Sequence, residues 1–229
     1  QTGTLSPSPT LPSDTLEAVI SREGQIDLAR TLDYTCQICN ALDHAHEQGV
    51  IHRDLRPGNV LVTEGGLLKV ADFGTSRFIE LAAHGTTVIG SPPYMAPEQF
   101  HGKTVFASDI YSLGVTMYQM LTGVLPYNTP TPADLEKLMR GELVSPPRSR
   151  NPKIPSKIND IVMKAVAPDV ELRYQRASDL LNDLLNARGG YVRLGKKGWR
   201  RLQFNLSEED DERLSRIGLS PRDFSAEPQ

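Results

Sequence analysis

Between Leu28 and Glu47, apolar side chains recur at three- and four-residue steps: Leu28, Leu32, Ile38, Leu42 and Ala45, with one skipped turn near Thr35. That spacing lays a single apolar stripe along a helix, which Gly49 closes. Upstream, Asp14 with Glu17 three residues later reads as the N-cap of a short helix to about Arg22, ended by Glu23-Gly24. Val60-Leu61-Val62 and Leu67-Leu68-Lys69-Val70 read as two short strands joined by a turn at Thr63-Glu64-Gly65-Gly66. From Ile110 to Leu121 the pattern changes character. Ile110, Leu113, Val115, Met117, Met120 and Leu121 cover nearly every face, so this helix is expected to be buried all round and to form the spine of the domain, stopped by Gly123 and Pro126. Further helices are expected at about 132–140, 156–167 and 177–187, separated by Pro and Gly.

Three stretches fall outside these periodicities. Residues 1–13 are Ser, Thr and Pro with scattered Leu, the composition of a disordered linker or a truncated hinge. Residues 75–95 are rich in Thr, Ser and Gly, and a loop of that length inside a domain is usually functional. Residues 189–229 read as a tail, a hairpin around Gly195-Lys196-Lys197-Gly198 followed by an acidic helix capped by Ser207.

Composition narrows the function classes. A net charge of −3 gives no case for bulk attraction to nucleic acid or acidic membrane. The basic cluster Arg193, Lys196, Lys197, Arg200 and Arg201 beside Trp199 reads as a solvated hairpin face rather than a surface for nucleic acid or acidic lipid. No apolar run reaches the roughly 20 residues of a membrane span. Cys36 and Cys39 form a C-x-x-C string inside a helix with no second pair and no histidine at ligand spacing, so they read as packed, reduced thiols, which suits a cytoplasmic protein. His44 and His46, two apart on one helix, point their rings in different directions and do not suit a shared metal; His84 and His101 carry no partner signal.

The hairpin carries a geometric consequence. Asn59 precedes its first strand and Asp72 follows its second, so antiparallel pairing brings both to the same end of the ribbon. Two oxygen ligands at one end suit Mg²⁺, which takes one or two protein oxygens and fills the rest of its shell with phosphate and water. Asp54 lies in the loop leading to Asn59, where a carboxylate can orient and deprotonate a hydroxyl nucleophile. Arg56 adds a fixed positive charge for a transferring phosphate.

These residues stand in strings that resemble a protein kinase. Ile51-His52-Arg53-Asp54-Leu55-Arg56-Pro57-Gly58-Asn59 resembles the catalytic loop, Asp72-Phe73-Gly74 the metal-binding motif, and Ala96-Pro97-Glu98 the end of the activation segment. The closest similarity is to the bacterial serine/threonine kinases. The resemblance implies a mostly α fold for residues 14–188, the C-terminal lobe of the α+β kinase fold without its N-terminal lobe, with the short β-hairpin at the active site. It implies ATP and Mg²⁺ as cofactors and a protein Ser or Thr hydroxyl as acceptor. Asp54 takes the place of the catalytic base. Asn59 and Asp72 take those of the metal ligands, and Arg56 stands where the family usually has Lys. Ser91 fills the substrate-docking position usually held by Thr. Asp109 braces the catalytic-loop backbone, and Arg173 pairs with Glu98. Arg53 receives a phosphate placed on the activation segment, with Thr86 or Thr87 as the acceptor. His52 and Phe73 read as packing residues.

A kinase also needs a glycine-rich phosphate loop, a strand lysine and a helix glutamate. No G-x-G-x-x-G occurs in the 229 residues, and the first lysine, Lys69, follows the catalytic loop. Two readings follow: a serine/threonine kinase lobe whose N-terminal lobe is the missing partner, or a catalytically silent lobe that binds kinases or substrates. Three polar ligands at one site favour the first. A small-molecule phosphotransferase of the aminoglycoside type shares the H-x-D loop but not the Ala96-Pro97-Glu98 segment. A lobe on its own is expected to expose apolar surface near Leu61 and the start of the 28–47 helix. Membrane anchoring, if any, lies elsewhere than in these residues.

Overall fold

The structure is a computed structural model that describes residues 14–73 and 92–187. The readings made for 1–13, for 189–229 and for most of the 75–95 loop lie outside the described residues. What is described is mostly helical, with one three-stranded sheet.

The centre is α3, Phe106–Thr122, in which Leu113, Val115, Met117 and Met120 are fully buried and Gln119 alone is not buried among Ala107–Thr122. Nearly all-round apolarity thus gives the buried spine expected of it. It starts earlier than Ile110 because the Ser108 hydroxyl accepts the Val105 N–H at 3.1 Å, which secures the first turn. Two helices pack on it: α2, Leu28–Glu47, and α6, Ser156–Ala165. Gly114 sets the distance to α6, since a Cβ there would lie 2.8 Å from Val166 Cγ1 and 2.9 Å from Ala165 Cβ.

α2 has the expected bounds, and its skipped turn has a physical filling. Thr31 and Thr35 are fully buried there, and their hydroxyls donate back to the carbonyls of Ile26 (3.3 Å) and Thr31 (2.7 Å). The stripe is therefore continuous, with two of its buried positions carried by self-satisfied hydroxyls. Cys36 and Cys39 lie buried in the same helix, and burial pushes the Cys39 thiol well up, as expected of a packing group rather than a nucleophile.

The hairpin forms as β2, Val60–Val62, and β3, Leu68–Val70, antiparallel with Val60 opposite Val70. Gln37 of α2 ties it down, donating to Gly66 O at 3.1 Å and accepting from Leu68 N at 2.9 Å. A third strand was not expected. Asp14–Thr15 pairs with β2 as β1, and α1 follows as Leu16–Glu23. Thr15, not Asp14, caps α1 by accepting from Ala18 N at 3.2 Å; Asp14 accepts instead from Arg22 Nη1 at 2.6 Å. Because α1 begins at Leu16, the cap position falls on Thr15 and Asp14 stands one residue before it.

The remaining elements are α4, Leu135–Met139, the short unanticipated α5, Pro147–Arg150, and α7, Ala177–Ala187. The apolar surface expected near Leu61 and Leu28 is less open than foreseen: both are half-buried, and the exposed large apolar residue on the hairpin is Leu67. No helix of the described residues is long and apolar enough to cross a membrane.

Candidate active site

The loop between α2 and β2 is held from beneath by Asp109, in the first turn of α3. Its Oδ2 accepts the His52 N–H at 2.8 Å and its Oδ1 the Arg53 N–H at 2.9 Å. From the other side Gln99 Nε2 donates to the Arg53 carbonyl at 3.1 Å, while Gln99 Oε1 accepts from Ala96 N at 2.8 Å. Both backbone groups of Arg53 are therefore fixed, and they hold it at φ 72°, a left-handed conformation rare for a residue with a side chain. That reversal buries His52 and leaves Arg53 exposed.

His52 links the loop to the far end of the hairpin. Its Nε2 lies 2.8 Å from the Ala71 carbonyl, and Asp54 N donates to its Nδ1 at 3.4 Å. Only the Nε2–H tautomer satisfies both contacts. The ring also packs on Phe73 at 4.7 Å between centroids.

Asn59 and Asp72 stand at the same end of the ribbon, where Ala71 N donates to Asn59 O at 2.8 Å. Asp72 is the second non-glycine residue at positive φ, 60°. Buried Asn59 directs its side-chain nitrogen at Asp54, donating to the backbone O at 2.7 Å and to Oδ2 at 3.1 Å. That contact settles the orientation of the carboxamide and leaves Oδ1 as a neutral oxygen donor. The Asp54 side chain is 18% exposed, with Arg56 Nε 3.9 Å from its Oδ2.

The donor set fits the implied groups. A carboxamide oxygen and a carboxylate at one hairpin end are hard oxygen ligands of the kind Mg²⁺ takes. Among the described residues the buried Arg56 Nε has no hydrogen-bond acceptor, and an anionic oxygen such as a phosphate's would supply one.

The activation-segment end is anchored by Arg173. Its Nη1 and Nη2 donate to Glu98 Oε1 and Oε2 at 2.8 and 2.9 Å, and its other N–H groups reach the carbonyls of Ala167, Ala107 and Pro168. Burial alone would raise the Glu98 carboxyl, but the Arg173 hydrogen bonds and charge, with the Ser108 hydroxyl, bring it below the usual carboxylate value.

The structure thus brings together Asp54, Arg56, Asn59 and Asp72, with Arg53 next to them. Ser91, Thr86 and Thr87 lie outside the described residues. Three contributors went unread. His46, set aside as a ligand, places Nε2 2.8 Å from Asp109 Oδ2. Its one signal was its place one turn beyond Leu42 on the buried stripe. Glu17 was read as a capping-box partner, yet its Oε2 stands 3.8 Å from Arg56 Nη1. Gln99 had no signal at all.

The protein kinase domain profile matches residues 9–187. A probable serine/threonine-protein kinase of Clostridium perfringens is 39% identical over 173 residues, 74% of this chain and 25% of the relative. The serine/threonine-protein kinase PknB of Mycobacterium tuberculosis is 34% identical over 181 residues, 77% of this chain and 29% of the relative. PknB of Bifidobacterium longum, named a probable kinase, is 36% identical over 183 residues, 78% of this chain and 26% of the relative. The chain therefore spans between a quarter and three tenths of the length of these relatives. With a profile match across most of its length, the chain belongs to the protein kinase domain family, of the bacterial serine/threonine type.

Proposed function

We propose that residues 14–188 are the large lobe of a serine/threonine protein kinase and transfer the γ-phosphoryl group of ATP to a Ser or Thr hydroxyl of a protein. The observation that carries this reading is the Asn59–Asp54 contact: one buried carboxamide orients the base with its nitrogen and offers a metal its oxygen. A scaffold has no physical need for that arrangement.

In this reading Asp54 accepts the proton of the attacking hydroxyl, through the carboxylate edge that Asn59 leaves open. Asn59 and Asp72 hold Mg²⁺, which neutralises phosphate charge when bound. Arg56 donates its Nε–H, which has no acceptor among the described residues, to a phosphoryl oxygen and keeps positive charge beside Asp54. His52 and Asp109 are positioning residues, for they touch the loop and not the reacting atoms.

Arg53 is the receiver of regulatory phosphate. Among the described residues no carboxylate pairs with its guanidinium, while its backbone is locked on both sides. A phosphate on Thr86 or Thr87 brings about two negative charges, enough to engage it. Ser91 meets the substrate. The buried thiols of α2 suit work in the cytoplasm.

The 229 residues hold no glycine-rich phosphate loop, so the chain alone is expected to transfer phosphate at no useful rate. Fusion to a kinase small lobe carrying that loop and its lysine is expected to restore transfer from labelled ATP to a Ser/Thr protein, and Asp54→Asn to abolish it. Transfer by the fusion that survives Asp54→Asn, or none in any fusion that folds, refutes the reading and favours the silent binding lobe.

A further inference from the structure

Glu17 and Arg56 come from different elements, α1 and the catalytic loop, and meet over Gly58. Glu17 Oε2 is 3.8 Å from Arg56 Nη1, and Arg56 Nε is 3.9 Å from Asp54 Oδ2. A Cβ on Gly58 would lie 2.8 Å from both Arg56 Nη1 and Glu17 Oε2. The two side chains therefore fill the place a side chain at 58 would take. Neither ion pair is a hydrogen bond, and the side chains of Glu17 and Arg56 are 52% and 31% exposed, so the contact adds little stability. Its consequence is orientation. A guanidinium is a rigid plane, and two carboxylates drawing on two of its nitrogens select one setting of that plane. A lysine, a point charge on a rotating stem, would respond far less to a second carboxylate. The arrangement matches the departure at this position, where Arg stands in place of the usual Lys.

We propose that Glu17 is a positioning residue for Arg56, acting across the gap that Gly58 leaves open, so that Glu17, Gly58 and Arg56 work as one unit beside Asp54. The inference rests on the kinase reading for its functional half and on geometry alone for the rest.

The test has two arms. In the 229-residue chain, the Arg56 Nε–H resonance, identified by its loss in Arg56→Lys, reports rotation about the Nε–Cζ bond. Glu17→Gln and Gly58→Ala are each expected to speed that rotation several-fold. Gly58→Ala presses only on the tips of two flexible side chains, so the melting temperature is expected to stay within the error of the parent's. In the small-lobe fusion each variant is expected to lower kcat about tenfold, as misplacement of a group near the reacting atoms does, with KM for the protein substrate nearly unchanged. The double variant is expected to be no worse than either single one. Unchanged rotation in both variants, an effect on KM rather than kcat, independent multiplying effects, or faster rotation with unaltered kcat would each overturn the proposal. Absence of any Asp54-dependent transfer would instead count against the kinase reading, and the rotation arm would still decide whether Glu17 positions Arg56.

Discussion

Glu98 and Arg173, 75 residues apart, form a two-pronged ion pair in which the arginine side chain is fully buried and the carboxylate 12% exposed. All five N–H groups of Arg173 are used: two on Glu98 and three on main-chain carbonyls. The pair joins the Pro97–His101 turn to the segment before α7. Arg173→Met strands the Glu98 carboxylate and three carbonyls, and is expected to cost about 3–5 kcal/mol in urea unfolding.

The same pair sets an acid dependence. Glu98 sits below its reference value of 4.5 in the folded state. The folded protein therefore binds this proton less readily than the unfolded chain does. The resulting stability is complete above the unfolded value and drains away as pH falls through the folded one. Glu98→Gln is expected to be less stable than the parent at neutral pH, with the gap narrowing as pH falls below about 4.5. Unfolding midpoints from pH 7 to pH 3 measure it; a gap constant with pH would contradict it.

Asp109 holds Arg53 in its left-handed backbone, and that strain gives a second test. Asp109→Asn supplies one acceptor where three donors converge, from His52 N, Arg53 N and His46 Nε2. Stability is expected to fall by about 2–3 kcal/mol, and amide exchange at His52 and Arg53 to quicken. Adding Arg53→Gly, which takes φ 72° freely, is expected to recover about 1 kcal/mol. No recovery would mean that the conformation is not held against a cost.

Gly114 reverses a common expectation. In an exposed helix Gly→Ala is favourable by about 1 kcal/mol. Here the new methyl meets Ala165 Cβ at 2.9 Å and Ala165 C at 3.2 Å, atoms that cannot turn aside. Gly114→Ala is expected to destabilise by about 1–3 kcal/mol in thermal unfolding, and Gly114→Val by more.

Asn59→Ala removes both the amide that steadies Asp54 and the carboxamide oxygen. In the small-lobe fusion the Mg²⁺ concentration for half-maximal rate is expected to rise about tenfold or more, with kcat reduced as well. An unchanged Mg²⁺ requirement would remove Asn59 from the ligand set.

The longer helices and the hairpin were legible because each is a local pattern, whereas β1 and α5 were not. The stripe of α2, the all-round apolarity of α3 and the two short apolar runs around the Thr63–Gly66 turn all lie within short windows of sequence. The meeting of Asn59 and Asp72 was also legible, because antiparallel pairing permits no other arrangement once the two strands are assigned. The Glu98–Arg173 pair and the Asp109 brace came from family resemblance, since nothing in local pattern joins residues so far apart. Asp14 shows the limit of local reading: its capping signature was there, but α1 begins at Leu16 and Thr15 caps it.

The sequence by itself determined which faces would be buried and which polar residues would stand at the hairpin's open end. Only the tertiary structure decided which distant groups meet there. Gln99 reaches the Arg53 carbonyl, His46 reaches Asp109, and Glu17 reaches Arg56 across Gly58. The reason is physical. A hydrophobic period specifies a side, whereas a buried hydrogen bond specifies a partner, and the partner is chosen by how helices pack. The positive φ of Arg53 follows the same logic: no preference of arginine selects it, and it exists because α3 and the Pro97–His101 turn hold the two peptides that flank one residue.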